Sequence, residues 1–164
     1  MLTENKWYQY GTPNSKIKGI VIHNTNNHSM SAKELEKWLQ NDEKTNAGCH
    51  YLVDYKDVIQ IMPDDWSVFN VGNGYTFGNL DCIAIEICSN PSEELYLQGE
   101  QKALKLIKKL MKKYHLTKDD IFFHRDFQPN INCPAQIIKR YKNKKEFLSL
   151  LERKWYENNN WNYY

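Results

Sequence analysis

The stretch Cys82–Cys88, which reads CIAIEIC, is the clearest β-strand in this 164-residue chain. Side chains alternate between the two faces of a strand, so the three isoleucines share one face, which we predict to belong to the core. The other face carries only small residues and one carboxylate, Glu86. Because an unpaired buried carboxylate is costly, Glu86 is expected either to form an ion pair at the strand end or to face a cleft as a general base.

Two further apolar runs end on a histidine. Residues 19–23 read GIVIH and residues 121–124 read IFFH, so each run places an imidazole where a buried strand meets a loop. A lone histidine there is often structural, and a lone cysteine such as Cys133 is often a small buried hydrophobe. Together, however, His23, His124 and Cys133 form a three-ligand set typical of a catalytic zinc. Such a zinc leaves one position open for a water molecule, whose pKa it lowers to about 7.

The other patterns alternate strands with helices, which predicts an α/β domain. A chain of this length fits one domain and can bury a core without disulfides. The predicted elements, in chain order, are a strand at 19–23, a short helix capped by Ser31 and Glu34, a hairpin at 50–54 and 58–62, a surface loop at 70–79, the strand at 82–88, and helices at 100–114 and 144–155.

The composition indicates a globular protein without a strongly charged partner. Hydrophobic residues make up 41% of the chain, and 22 basic residues against 20 acidic ones leave a net charge of +2. This balance argues against nucleic-acid binding, and no apolar stretch is long enough to insert into a bilayer. The N-terminus lacks the apolar core of a signal peptide, so we expect synthesis in the cytoplasm. The four cysteines form no Cys-x-x-Cys pair, which favours free thiols in a reducing compartment.

Two other polar residues near these runs allow two interpretations each. His50 could add a polar group to the cleft, or it could be buried and bonded to the backbone. Asp126 could orient the imidazole of His124, or it could cap the loop that follows. His28 and His115 need no function, since one lies in a polar loop and the other near a helix C-terminus.

Several segments, taken in order, resemble the zinc-dependent N-acetylmuramoyl-L-alanine amidases of the type-2 amidase and peptidoglycan-recognition-protein superfamily, which includes phage endolysins and bacterial autolysins. The segments are IVIHNT at 20–25, AGCHYLVD at 47–54, FNVGNG at 69–74, IAIEIC at 83–88, HRD at 124–126 and NCP at 132–134. The resemblance covers about residues 17–140 and implies a central mixed β-sheet flanked by helices, with zinc in a groove on one side. We expect a catalytic domain over 1–156 and a polar, aromatic tail over 157–164.

The resemblance also implies residue roles. His23, His124 and Cys133 match the zinc ligands, Glu86 matches the catalytic glutamate, and His50 is a second catalytic candidate. Four asparagines are candidate substrate-binding residues: Asn24, Asn70, Asn73 and Asn132. The implied reaction is hydrolysis of the amide between the lactyl group of N-acetylmuramic acid and the L-alanine of the stem peptide. Bacterial peptidoglycan is then the expected partner, reached after release through a holin or by lysis, and no oligomeric state is predicted.

The chain departs from the family pattern at two positions. Cys49 stands where some branches have a tyrosine, and Ile131 stands where many members have lysine or threonine. Donors to a tetrahedral oxyanion contribute a few kcal/mol. Either zinc alone stabilises the oxyanion, or another side chain does. The candidates for that side chain are Asn130, Asn132 and His50.

Two other functions remain as alternatives. Some relatives bind peptidoglycan without cutting it, but those typically lose the cysteine ligand, whereas this chain retains Cys133 and Glu86. A metal-dependent nuclease could use His124 and Asp126 beside the lysine-rich helix. The near-neutral charge disfavours it, because nucleic-acid binding normally needs a basic surface.

Overall fold

The computed structural model describes residues 1–13, 16–25, 30–72 and 74–152. The strands are β1 (Gly11–Pro13), β2 (Gly19–Asn24), β3 (Tyr51–Val53), β4 (Val58–Gln60), β5 (Trp66–Val68), β6 (Cys82–Ile87) and β7 (Ile121–Phe123). The helices are α1 (Glu4–Tyr10), α2 (Ala32–Asn41), α3 (Phe77–Leu80), α4 (Glu93–Tyr114), α5 (His124–Phe127), α6 (Ala135–Arg140) and α7 (Lys144–Ser149), with short 3-10 turns at Lys118–Asp120 and Leu150–Glu152.

Within those ranges, a mixed five-stranded sheet forms the centre of the domain, in the order β4-β3-β6-β2-β7. β3, β6, β2 and β7 run parallel, and β4 joins the edge as the antiparallel partner of β3. β1 and β5 pair separately, in antiparallel fashion. The parallel strands β2, β6 and β7 therefore end at one edge of the sheet, where ligands bind in open α/β sheets. The predicted mixed sheet with flanking helices is confirmed.

One side of the sheet, the covered face, carries the three isoleucines of β6 and packs beneath α4, α6 and α7. Its cluster includes Ile85, which is fully buried, and the apolar stripe of α4. The capping side chain of Ser92 accepts a hydrogen bond from Leu95 N, so α4 begins seven residues earlier than the sequence pattern predicts. Gly99 interrupts that pattern for a packing reason, since a Cβ there would lie 3.1 Å from the backbone of Asp54.

The opposite side, the groove face, carries the alternate residues of the same strands. Strand register places His23, Glu86 and Leu52 side by side across β2, β6 and β3. Part of this face packs beneath α1, α2 and the β1–β5 pair in a second apolar cluster. The predicted capping box of Ser31 and Glu34 is confirmed at the start of α2. α2 covers the face only in part, which leaves the carboxyl ends of the strands open.

The structure tests several of the strands, loops and helices predicted from the sequence. The strands at 19–23 and 82–88 and the hairpin are confirmed, while the strand at 121–124 ends at Phe123 because His124 begins α5. The predicted loop at 70–79 contains a short helix and a fully buried Asn79. The last helix ends at Ser149, and 153–164 lie outside the described residues.

The predicted free thiols are confirmed, since all four cysteines are unpaired and buried. No helix in the described part of the chain is both long and apolar enough to span a membrane.

Candidate active site

A groove of about 800 Å³ opens at the carboxyl ends of β2 and β6. One wall comes from α2 and is largely apolar, with Trp38 retaining 48% of its surface exposed. The segment 130–133 also lines the groove and carries two exposed asparagine side chains. His23, Glu86 and His124 complete this part of the lining. The groove therefore combines apolar, polar and titratable side chains.

Three possible metal ligands meet in this groove. One ligand atom from each of His23, His124 and Cys133 lies within 4.8 Å of the other two. His124 reaches His23 because β7 pairs with β2 in parallel and places Phe123 beside Ile22. The two imidazole rings lie 4.8 Å apart, and His23 Nδ1 lies 3.7 Å from the Sγ atom of Cys133. The structure thus brings together the three donors singled out in the sequence.

The electrostatics of these donors fit metal binding. Burial lowers the pKa of His23 to about 3, with a further contribution from His124, so the His23 imidazole is neutral at pH 7 and its lone pair is available to a metal. Burial, together with the nearby Glu86, raises the pKa of Cys133 to about 12. The backbone N–H of Asn24 donates to the Cys133 sulfur at 3.5 Å. Metal binding would therefore displace a proton from the thiol.

Glu86 lies in the groove as an unpaired carboxylate. Its Oε2 atom is buried and has no hydrogen-bond partner among the described residues. Burial raises the pKa of Glu86 to about 8, because water no longer stabilises the charged form. Within the described part of the chain the alternative of a strand-end ion pair does not form, and the carboxylate faces the groove instead.

His50 lies in the interior of the fold and is not among the residues that line the groove. His50 is fully buried. Its Nδ1 accepts a hydrogen bond from Ala84 N at 2.9 Å, and its Nε2 donates to Trp66 O at 2.8 Å. Burial lowers its pKa to about 4. This geometry fits the backbone-bonded interpretation and leaves no ring nitrogen for a substrate.

Of the two roles considered for Asp126, the structure supports the capping role. Its carboxylate accepts a hydrogen bond from Phe123 N at 2.9 Å and forms an ion pair with Lys144 at 2.6 Å. It therefore caps the start of α5 and leaves the imidazole of His124 to another partner.

The four candidate substrate-binding asparagines differ in their surroundings. Asn132 is exposed and lines the groove, whereas Asn73 lies outside the described residues. Asn24 is 5% exposed, and its amide is fully engaged. The Asn24 amide bonds are to Ile87 O at 3.3 Å, Tyr96 Oη at 2.9 Å and Gln136 N at 3.0 Å. Asn24 thus ties the end of β2 to α4 and α6.

The fourth asparagine, Asn70, contacts a ligand imidazole. Its Oδ1 lies 3.0 Å from His23 Nε2. A residue that the sequence analysis missed, Gln128, makes the matching contact, with its Oε1 2.7 Å from His124 Nε2. The spacing of four residues between His124 and Gln128, which is one helical turn, is a signal that could have indicated this contact.

Comparison with known proteins agrees with this geometry. The sequence profile of the N-acetylmuramoyl-L-alanine amidase family matches residues 13–136. The chain is 31% identical to the N-acetylmuramoyl-L-alanine amidase CwlA of Bacillus subtilis (strain 168), over 84% of this chain and 50% of that protein. It is 30% identical to the N-acetylmuramoyl-L-alanine amidase XlyB of the same organism, over 80% of this chain and 41% of that protein. The chain therefore spans about half the length of these curated relatives or less.

A solved structure shares the fold. The structure of PlyL superposes with a TM-score of 0.83 at 23% identity, covering 92% of each chain. At that identity the similarity concerns the arrangement of helices and strands alone.

Proposed function

The chain belongs to the N-acetylmuramoyl-L-alanine amidase family, and from this premise we propose that it hydrolyses the amide between N-acetylmuramic acid and the L-alanine of the peptidoglycan stem peptide. One observation supports the proposal above the others. A compact His, His, Cys donor set lies in an open groove with the Glu86 carboxylate, whose Oε2 atom has no hydrogen-bond partner among the described residues. A site that only binds peptidoglycan needs neither the donors nor the carboxylate, so this arrangement favours hydrolysis over the binding-module alternative.

Zinc fits the donor set. Two imidazoles and one thiolate leave the fourth tetrahedral position open, as in catalytic zinc sites. We infer that His23, His124 and Cys133 would hold the ion. When bound, zinc supplies a Lewis acid that polarises the amide carbonyl and acidifies water.

Glu86 would move the proton in this reaction. Its carboxylate accepts a proton from the attacking water as the oxygen bonds to the carbonyl carbon. The protonated Glu86 then gives that proton to the amide nitrogen as the C–N bond breaks, which releases a carboxylic acid and a free amine. Because burial raises its pKa to about 8, Glu86 can both take up and return a proton near neutral pH.

The groove walls suggest how the oxyanion and the substrate would be held. The side chain of Ile131 is 41% exposed but cannot donate a hydrogen bond, and its backbone N–H already donates to Gln128 O at 2.9 Å. With His50 fully engaged, we assign the polar contacts on this wall to the amides of Asn130 and Asn132. The exposed ring of Trp38 lines the same groove and offers a surface for an apolar or sugar face.

The family also suggests the domain bounds, the place where the protein acts and its route of release. We propose that the domain covers 1–156, that 157–164 form a tail, and that the protein acts on the cell wall after release through a holin or by lysis. The relatives named above as amidases support peptidoglycan as the partner.

A digest of purified cell walls tests the proposal. We expect newly exposed L-alanine amino groups, no new reducing sugar ends, and loss of both lysis and amino-group release in a chelator. Glu86→Gln should lower the rate roughly 10²- to 10⁴-fold, as expected when a general acid–base group is removed. The matched control Glu94→Gln, at an exposed position of α4, should keep the full rate. New reducing ends would indicate a glycosidase, and wall binding without products would support the binding module.

A further inference from the structure

Each of the two imidazoles in the donor set is held at its far nitrogen by a side-chain amide oxygen. Asn70 Oδ1 lies 3.0 Å from His23 Nε2, and Gln128 Oε1 lies 2.7 Å from His124 Nε2. We propose that Asn70 and Gln128 are positioning residues that fix the tautomer and orientation of the two histidines for metal binding. The inference rests on the proposed function, because it concerns how the same site is prepared for its metal.

The orientation of the Asn70 amide is set by its other contacts. Its Nδ2 donates to Val68 O at 2.8 Å and to Gly78 O at 2.9 Å. Backbone carbonyls only accept hydrogen bonds, so the nitrogen must face them and the oxygen must face His23. His23 Nε2 therefore carries the proton and donates to Asn70. Its Nδ1, which lies 3.7 Å from Cys133 Sγ, keeps the lone pair that a metal needs.

A buried asparagine holds Asn70 in place. Asn79 is fully buried, and its Oδ1 accepts hydrogen bonds from Asn70 N and Val71 N, both at 2.8 Å. Its Nδ2 donates to Gly74 O at 2.9 Å. The loop that carries Asn70 is thus fixed from within, as expected for a residue whose task is to orient another. These bonds leave Asn70 no free donor for a substrate, in contrast to the role that the sequence suggested.

Gln128 contacts His124 at the same ring nitrogen, and its position is set by the backbone and by packing. Its backbone N–H donates to His124 O at 3.2 Å, which closes one helical turn and returns the side chain to the ring. Gly72 lies against this side chain with φ +64°, and a Cβ at that position would come within 2.8 Å of Gln128 Nε2. The Asn70 loop and Gln128 therefore pack together and support both imidazoles as one unit.

The test compares two substitutions of one residue with a distant control. Gln128→Leu removes the acceptor, whereas Gln128→Glu keeps both an acceptor oxygen and the side-chain length. Gln101→Leu on α4 makes the same chemical change away from the groove. Zinc affinity is measured by competition with a chelator, and ring ¹⁵N chemical shifts of the metal-free protein report the histidine tautomers.

We expect Gln128→Leu to weaken zinc binding about 10- to 100-fold, as is usual when such a partner is lost. Gln128→Glu and Gln101→Leu should stay within about threefold of the unsubstituted protein, as expected when the acceptor is kept or lies elsewhere. In the unsubstituted metal-free protein both His23 and His124 should carry the proton on Nε2. An Nδ1–H tautomer, or full zinc affinity in a folded Gln128→Leu protein, would overturn the inference alone. Failure of the unsubstituted protein to bind zinc and cut cell walls would overturn the proposed function itself.

Discussion

The covered face and the groove face of the central sheet are made by the same strands, yet their chemistry differs at every second residue. On β6, Ile85 and Ile87 are fully buried under α4, while Glu86 between them lines the groove, and its Oε2 atom has no hydrogen-bond partner in the described part of the chain. The covered face stabilises the fold by burying apolar surface. The groove face keeps the His23 imidazole, whose pKa burial lowers, and the Glu86 carboxylate, whose pKa burial raises. Each shift comes at a cost in stability. The difference shows how one strand serves both purposes, because alternation separates the two sets of side chains by a single residue.

The largest effect should follow from removing a donor on the groove face. Cys133→Ala is expected to weaken zinc binding on the order of a thousandfold, since each ligand contributes several kcal/mol, and to bring wall hydrolysis below detection. The covered face is untouched, so the thermal unfolding midpoint in a chelator should stay close to that of the unsubstituted protein. Cys82→Ala, at a buried cysteine away from the donor set, serves as the control and should keep zinc affinity. If the Cys133→Ala protein still bound zinc fully and cut cell walls, the assignment of Cys133 as a zinc ligand would be wrong.

A truncation on the covered face should do the reverse. Ile85→Ala removes a fully buried side chain from the main cluster and should lower the free energy of unfolding by about 2–5 kcal/mol. Ile131→Ala, on the exposed groove wall, should change it by less than about 0.5 kcal/mol. Urea denaturation of both variants measures the contrast. Equal losses at the two positions would contradict the division between the faces.

Glu86 provides a test of the cost carried by the groove face. Its folded-state pKa of about 8 lies above its ordinary value of 4.5, so between these values the unfolded chain is ionised while the folded one holds a proton. The contribution of Glu86 to the stability of the metal-free protein should therefore fall as the pH rises from about 4.5 to 8 and level off above. Glu86→Gln removes this dependence and should be more stable by roughly 2–4 kcal/mol at pH 8.5, with little gain at pH 4. Denaturation in a chelator at both pH values measures it, and a pH-independent difference would contradict the raised pKa.

The smallest effect concerns the helix that forms the apolar groove wall. Ser31→Ala removes the side chain that accepts from Glu34 N, so it should destabilise the protein by about 1 kcal/mol. Ser149→Ala, at the far end of α7, is a control outside any N-cap. None of the three donors lies on α2, so the loss of the cap should lower the thermal unfolding midpoint and leave zinc affinity unchanged. A change in zinc affinity would show that the two walls are coupled.

Much of this architecture could be predicted from alternation and from the ends of apolar runs. The period of two along Cys82–Cys88 predicted which side of β6 is core, and the strand-end positions of His23 and His124 predicted where the donors meet. The alternation of side chains along a strand does not predict the side-chain direction of a residue that lies outside a strand. His50 precedes β3, and only the fold shows that its ring lies between Trp66 and Ala84.

The parts that could not be predicted depend on contacts between distant segments. Gly99 breaks the apolar spacing near the start of α4, which conceals where the helix begins. A Cβ at Gly99 would lie 3.1 Å from the backbone of Asp54, which follows β3, and no pattern within α4 indicates that contact. Asn79 looks like a loop residue in sequence but is fully buried, because its side chain bonds to the backbone of Asn70, Val71 and Gly74. The resemblance suggests Asn70 as a substrate-binding residue, and the sequence cannot show that the Asn70 amide nitrogen is already bonded to Val68 O and Gly78 O.

The donor set also makes the completeness of folding measurable. His23 and Cys133 are 110 residues apart in the chain, and Asn24 next to His23 is bonded to both α4 and α6. Closing so long a loop is entropically unfavourable, so a partly folded or truncated chain does not hold the donors together. With the proposed zinc ligation, the number of high-affinity zinc sites in a preparation would equal the number of molecules whose β2, α4 and α6 are all in place. Zinc stoichiometry would then measure the native population independently of any substrate.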